Sequence, residues 1–338
     1  MGSRGAAARC GALRRTRTAA SEPRQADRRP AAMSYHPRRM APLLITPALA
    51  FVIAACTAAG GVASAPTSGQ SGGSPSAAST ATPAADAIEH KTGATDILLR
   101  YEEGGGFIMP AFTAAAVPHF TLYGDGTVIF RNPMLEPPPA EGSIFKMNPL
   151  RTVKLSEQQI QDLLKLALTE GGLAAARPEY HNDMVADAGT AIFTIEAGGL
   201  KKTVSVYALG LEQEGMIDGP ARATFKKLAD RLTDFNQGGT IKTDKYQPPA
   251  YRGVLFEAPG IEAPDVRNWP WPDLTAADFK PDADPNGNQF PHRTLTIEEV
   301  DLLGVTDYQG GLQNVVLKDP DGKPYTFSLR PLLPGDES

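Results

Sequence analysis

Between Asp282 and Asn288 the chain reads Asp-Ala-Asp-Pro-Asn-Gly-Asn. Oxygen donors at Asp282, Asp284 and Asn286, followed by Gly287 at the sixth position, are how a calcium loop begins. Such a loop closes with a bidentate glutamate at its twelfth position. Here that position is Arg293, whose charge opposes a cation, so a solvated Asp/Asn turn is the expected reading. Calcium remains only as an irregular site that borrows a distant acid. A second group, His181-Asn182-Asp183 with Asp187, brings an imidazole and two carboxylates close in sequence, which suits a metal or acid–base chemistry. It falls in a loop between a helix and a hairpin and reads also as a plain polar connector. His119 and His292 each adjoin a proline and have no ligand pattern beside them. Trp269-Pro270-Trp271-Pro272 holds both tryptophans of the chain, either as a stiff aromatic ridge for a peptide or glycan or as a lid on a core.

Other chemistry is absent or disfavoured. The sequence has no His-Glu-x-x-His, no Gly-x-Ser-x-Gly and no phosphate-binding Gly-x-x-x-x-Gly-Lys-Ser/Thr. A Ser-His-Asp triad stays open, since its members are distant in sequence. Glu102-Glu103-Gly104-Gly105-Gly106-Phe107 sets carboxylates beside a glycine run, which suits a mobile loop and not a phosphate cradle. No cofactor other than a weakly held calcium is expected.

The elements that must position these residues begin far from the N-terminus. Residues 1–32 are rich in Arg and Ala. Arg38-Arg39-Met40 then precede an uncharged run, Ala41–Ala55, which ends at Cys56. That run fits the apolar part of an export signal and is short for a membrane span, which needs about 20 apolar residues. Met33 or Met40 would each give a signal of ordinary length. Residues 1–55 hold 10 Arg and 2 acids, so residues 56–338 keep 23 basic and 36 acidic residues, a net charge of −13. A chain that acidic repels nucleic acid and anionic headgroups. Cys10 and Cys56 are the only cysteines, so the body after Cys56 has neither a disulfide nor a thiolate metal site.

From Thr57 to Ala87 the residues are almost all Ala, Ser, Thr, Gly and Pro, too poor in apolar surface to fold. About 35 such residues reach roughly 30–35 Å as a flexible tether. The organisation expected is an extension and signal over 1–55, a linker over 56–94, an α+β domain over 95–240, and a smaller α+β unit over 241–338.

Within the body, Ile97–Tyr101 reads as a strand, and Phe120–Phe130 as a hairpin turning at Gly124-Asp125-Gly126. Pro133–Pro139 is a proline-rich loop. A helix over Ser156–Thr169 carries a Ser156/Gln159 capping box and the stripe Ile160, Leu163, Leu164, Leu168. Thr190–Glu196 and Lys202–Tyr207 form a second hairpin. Pro220 opens a helix to about Phe235, burying Phe225, Leu228 and Leu232. After a strand at Tyr251–Phe256, a long loop spans Ala258–Arg293. A short helix follows at Ile297–Leu303, and a last hairpin joins Asn314–Lys318 to Tyr325–Leu329. The fold class is α+β, antiparallel hairpins packed with two main helices. Gly-Gly-Leu follows a capped helix in each half, as a duplication would leave, although short recurrences are also common by chance.

Ile53-Ala54-Ala55-Cys56 resembles the lipobox of bacterial lipoproteins. Thr121–Val128, the helix from Ser156, Ala191–Ile195 with Thr203–Tyr207, and the tail Ser328–Pro334 look like a family of uncharacterised bacterial surface lipoproteins, over most of residues 95–335. The resemblance implies cleavage before Cys56, a diacylglyceryl group on its sulfur, and an α+β body. It implies no activity and no site residues. Two acyl chains anchor stably because each buried CH₂ contributes about 0.8 kcal/mol. An ordinary secretory signal with a chance cysteine is the alternative. The expected protein is extracytoplasmic and lipid-anchored through Cys56, a non-enzymatic binding or scaffold module whose partner is an envelope protein or glycan. Its rival is a metal- or carboxylate-dependent hydrolase of an envelope substrate. In that reading His181, Asp183 and Asp187 meet His119 or Glu103. A purely structural lipoprotein is a third reading.

Overall fold

Strands dominate the body because its β-branched and aromatic residues alternate with polar ones over short runs, the pattern of half-buried sheets. The computed structural model describes residues 87–108, 110–132, 141–258, 265–283 and 289–336. Cys56, the signal and nearly all of the linker lie outside these residues, as do Pro133–Pro139, Asp284 and Asn286.

Fourteen strands occur among the described residues. They are β1 (Ile97–Gly104), β2 (Phe120–Tyr123), β3 (Thr127–Phe130), β4 (Phe145–Lys146), β5 (Arg151–Lys154), β6 (Glu179–Tyr180), β7 (Thr190–Ala197), β8 (Leu200–Tyr207), β9 (Asp244–Lys245), β10 (Tyr251–Glu257), β11 (Val266–Asn268), β12 (His292–Leu295), β13 (Leu312–Lys318) and β14 (Pro324–Pro331). The helices are α1 (Pro110–Ala114), α2 (Glu157–Leu168), α3 (Gly219–Thr233) and α4 (Ile297–Asp301). One sheet has eight strands in the order β6-β8-β7-β1-β2-β3-β5-β9. The other has six, ordered β11-β13-β14-β10-β12 with β4 on the edge of β13. The class is α+β with strands in the majority. The pairing is not wholly antiparallel as expected, since β6–β8 and β11–β13 are parallel.

Helices α2 and α3 cover one face of the eight-stranded sheet. Ser156 caps α2 by accepting from the Gln159 backbone N–H, while Gln159 Oε1 accepts from Ser156 N at 2.9 Å. Ile160, Leu163, Leu164 and Ala167 of α2 are buried, as are Phe225, Leu228, Ala229 and Leu232 of α3. They meet Ala191, Phe193, Ile195 and Ala197, every second residue of β7. The β1–β2 register slips between Ile97 and Leu99, and adjacent Leu98 and Leu99 are both buried there. Burial of such a side chain contributes about 1.5–3 kcal/mol, so this layer is what fixes the sheet. The chain is seated before Thr95, since Ile88 exchanges hydrogen bonds with the Gln161 side chain at 2.7 and 3.0 Å.

A second core joins the six-stranded sheet to α4 and to the segment Trp269–Phe279. The long loop expected over Ala258–Arg293 is therefore partly ordered structure. It contains β11, a single 3₁₀ turn at Ala276–Asp278 and the first residues of β12. A third cluster, Tyr123, Ile129, Leu150 and Leu333, lies on the face of the first sheet opposite α2 and α3. Gly310 is needed near it, because a Cβ there would stand 2.1 Å from the Met147 carbonyl oxygen.

Candidate functional site

At one end of the eight-stranded sheet three loops meet, 104–108 after β1, 181–189 before β7 and 208–218 before α3. The joint between the last two is a buried arginine. Arg222 lies on the apolar stripe of α3, three residues before Phe225, and is 0 % exposed. A buried charge must be paired and hydrogen-bonded. Its Nη1 donates to the Tyr207 carbonyl at 2.9 Å and its Nη2 to the His181 carbonyl at 2.7 Å. Nε lies 3.3 Å from Asp218 Oδ1, and Nη1 lies 3.8 Å from Glu212 Oε1. The planar guanidinium supplies several donors in a fixed fork, which an ammonium does not.

Further bonds close the arrangement. Asn182, also buried, donates through Nδ2 to the Leu211 carbonyl at 3.0 Å. The Tyr207 hydroxyl donates to the Val185 carbonyl and accepts from Ala188 N, both at 3.1 Å. Phe107 N donates to the carbonyl of Asp187, a residue held at φ 56°, at 3.3 Å. Loops tied this way present their side chains from a fixed frame.

Those side chains are apolar. Five of the nine large hydrophobic residues exposed among the described residues are here: Phe107, Ile108, Met184, Leu211 and Ile217. Phe107 is 92 % exposed and Ile217 100 %. Single exposed apolar residues are ordinary, but a concentration of them marks an interaction surface. The three loops also carry five carboxylates, Asp183, Asp187, Glu212, Glu214 and Asp218, and no Lys or Arg.

Beside this end, His119 and Glu103 meet each other, without the His181, Asp183 and Asp187 that the hydrolase reading required beside them. The Tyr101 hydroxyl donates to Glu103 Oε1, and His119 Nε2 stands 3.7 Å from Glu103 Oε2. Tyr101 stacks between His119 and Phe193, with ring centroids 5.4 and 4.9 Å apart. The adjacent His119, above all, holds the Glu103 carboxyl down at about 2, against partial burial and with help from the Tyr101 hydrogen bond. A carboxylate that low stays ionised and is a poor proton donor.

His181 does not join them. Its Nε2 lies 3.1 Å from Glu179 Oε2 with both side chains largely in solvent, and Asp183 and Asp187 are exposed. Among the described residues no three His, Cys, Asp or Glu side chains gather where they could hold a metal. Asp282, the described member of the calcium-like loop, pairs with His292 Nε2 at 3.2 Å. The two tryptophans belong to the second core. Trp271 is 2 % exposed and donates to the Glu299 carbonyl, while Trp269 is half-buried and donates to that of Leu274, each at 2.7 Å. They lid the core and form no exposed ridge. Neither Arg222 nor the apolar loop end was read from the sequence. The one available signal was an arginine in phase with Phe225, Leu228 and Leu232. No protein-family model matches the chain, and no curated protein or solved structure matches it either.

Proposed function

We propose that this chain is a lipid-anchored, extracytoplasmic binding module that holds a protein partner at its loop end. The observation that carries the binding role is the set of five exposed apolar side chains on three loops, two of them joined by Arg222 and the third tied to them through Phe107 N and the Asp187 carbonyl. Glu212 and Asp218 are paired with Arg222, but Asp183, Asp187 and Glu214 have no Lys or Arg partner among the described residues and call for a partner segment whose apolar residues are flanked by Lys and Arg. The same charge repels an anionic lipid surface, so the loop end faces away from the membrane. The address rests on Arg38–Cys56, with the acyl chains on Cys56 and the linker as stalk.

The test has two arms. A photo-crosslinking residue in place of Phe107 or Met184, in intact cells, is expected to trap one discrete protein that a probe at Ile297 does not. That adduct should fade with Ile217→Ser and with added salt. Adducts equal at all three positions, or none, would leave the structural-lipoprotein reading in its place. For the anchor, Cys56→Ser is expected to abolish labelled palmitate incorporation and move the chain to the soluble fraction. Unchanged membrane retention without label would refute the anchor.

A further inference from the structure

Ahead of β1, the residues Ile88–Lys91 form a strap laid over the end of the first sheet that lies opposite the three loops. The two ends are those of β7. Thr190 follows the loop 181–189, and Ala197 enters the tight turn Gly198-Gly199 that leads into β8. The strap is seated at that turn. The Glu89 carbonyl accepts from Gly198 N at 2.7 Å. Ile88 gives its N–H to Gln161 Oε1 of α2 and takes Gln161 Nε2 on its carbonyl, and its side chain sits partly buried at the rim of the first core. Lys91 pairs with Glu196, and His90 Nε2 lies 3.0 Å from Glu157 Oε1. The chain then turns at Gly93–Asp96, is tied to the sheet where the Asp96 carbonyl accepts from Gly124 N at 2.7 Å, and enters β1.

The strap and the strand after it are held in different ways. Ile88 is the one apolar residue of the strap, and Glu89 and Lys91 are exposed. Exposed ion pairs hold weakly, and a segment with few buried apolar contacts opens at low cost. β1, by contrast, is hydrogen-bonded along its length to β2 and β7 and buries Leu98, Leu99 and Tyr101. A pull on the chain before Ile88, against a body held at its loops, meets the strap contacts one after another. The same pull runs along β1, whose ladder to β7 it loads all at once, because the two strands are antiparallel and β7 is held from its loop end.

We infer that the strap is a releasable latch on the tether. The inference rests on the reading above, with Cys56 held at the membrane and the loops held by a partner. Tension between them peels Ile88–Lys91 from α2 and from the β7–β8 turn before the sheet yields. The six residues Ile88–Gly93 then join the linker and add up to about 20 Å of chain, at roughly 3.3–3.6 Å per residue. A partner can move away from the membrane by about that distance while the body stays folded, and the strap reseats when tension falls.

The test is single-molecule force spectroscopy on the full chain, pulled between handles at Cys56 and at residue 184. The expected trace has a reversible lengthening of about 20 Å at low force, before the sheet unfolds. Gln161→Ala, which removes both bonds to Ile88, should abolish that step or bring it to less than about half the force. Gln158→Ala, on the exposed face of the same helix, should leave it unchanged. Hydrogen exchange needs no variant: the Ile88 and Gly198 amides should exchange faster than those inside β7, and faster still in added salt. Strap and sheet yielding in one step, or a first step that Gln161→Ala does not alter, would overturn the inference. The handles replace both lipid and partner, so this outcome is independent of the crosslinking and palmitate results.

Discussion

Arg222 Nη2 donates to the carbonyl oxygen of His181, 2.7 Å away and 41 residues apart in the chain. The contact reverses the roles that residue types suggested. His181, with a side chain suited to chemistry, contributes its backbone, while an arginine on an apolar helix stripe builds the frame around it.

Arg222→Met keeps the aliphatic stem but strands two carbonyls and leaves Asp218 and Glu212 without their buried cation. Removing one partner of a buried ion pair costs about 3–5 kcal/mol. Urea unfolding should show a loss of that size. Hydrogen exchange should show residues 181–189 and 208–218 loosened more than α2. Arg222→Lys should recover little, because an ammonium cannot span both carbonyls and Asp218. Full recovery with Lys would mean that charge alone is what the site needs.

The fold was largely legible where local chemistry decides it. The Ser156/Gln159 capping box and the turn at Gly124–Gly126 both depend on a few neighbouring residues. What escaped notice depends on distant partners. The two-residue strands β4, β6 and β9 have no periodicity to detect and exist only because longer strands offer them an edge. The same holds for the candidate site. Phe107, Met184 and Ile217 lie in polar, glycine-rich segments, and only the closure of three loops brings them to one end.

Phe107→Ser and Ile217→Ser should leave stability within about 0.5 kcal/mol of the parent, the range of ordinary surface substitutions. The double variant should nonetheless lose the crosslinked partner. Its thermal unfolding midpoint is the control. A drop of several degrees would mean that these side chains pack in the folded body and do not serve a partner.

Glu103 makes the body sensitive to acid. His119 first, and then Tyr101, hold its carboxyl near 2, below the ordinary 4.5, so its contribution is complete above pH 4.5 and disappears as pH falls through about 2. Its side chain is 56 % exposed, so solvent screening limits the contribution to about 1 kcal/mol. Urea midpoints taken between pH 6 and pH 2 should therefore fall further for the parent than for Glu103→Gln, with the two curves converging at the acid end. Parallel curves over the whole range would show that the carboxylate contributes nothing.

Trp271 tests the second core. Its ring meets Trp269, Phe279 and Phe327 with centroids 5.1, 5.9 and 5.5 Å away, and its Nε1–H supplies the Glu299 carbonyl with a donor. Trp271→Ala removes that packing and should cost about 3–5 kcal/mol. Trp271→Phe keeps most of the apolar volume and should cost about 1–2 kcal/mol, chiefly through the orphaned carbonyl. Because the chain holds only two tryptophans, Trp269→Phe leaves Trp271 as the sole indole. Its emission should be blue-shifted and insensitive to iodide. Red-shifted, quenchable emission, with Trp271→Ala neutral in urea, would instead restore the exposed aromatic ridge that the Trp-Pro-Trp-Pro sequence first suggested.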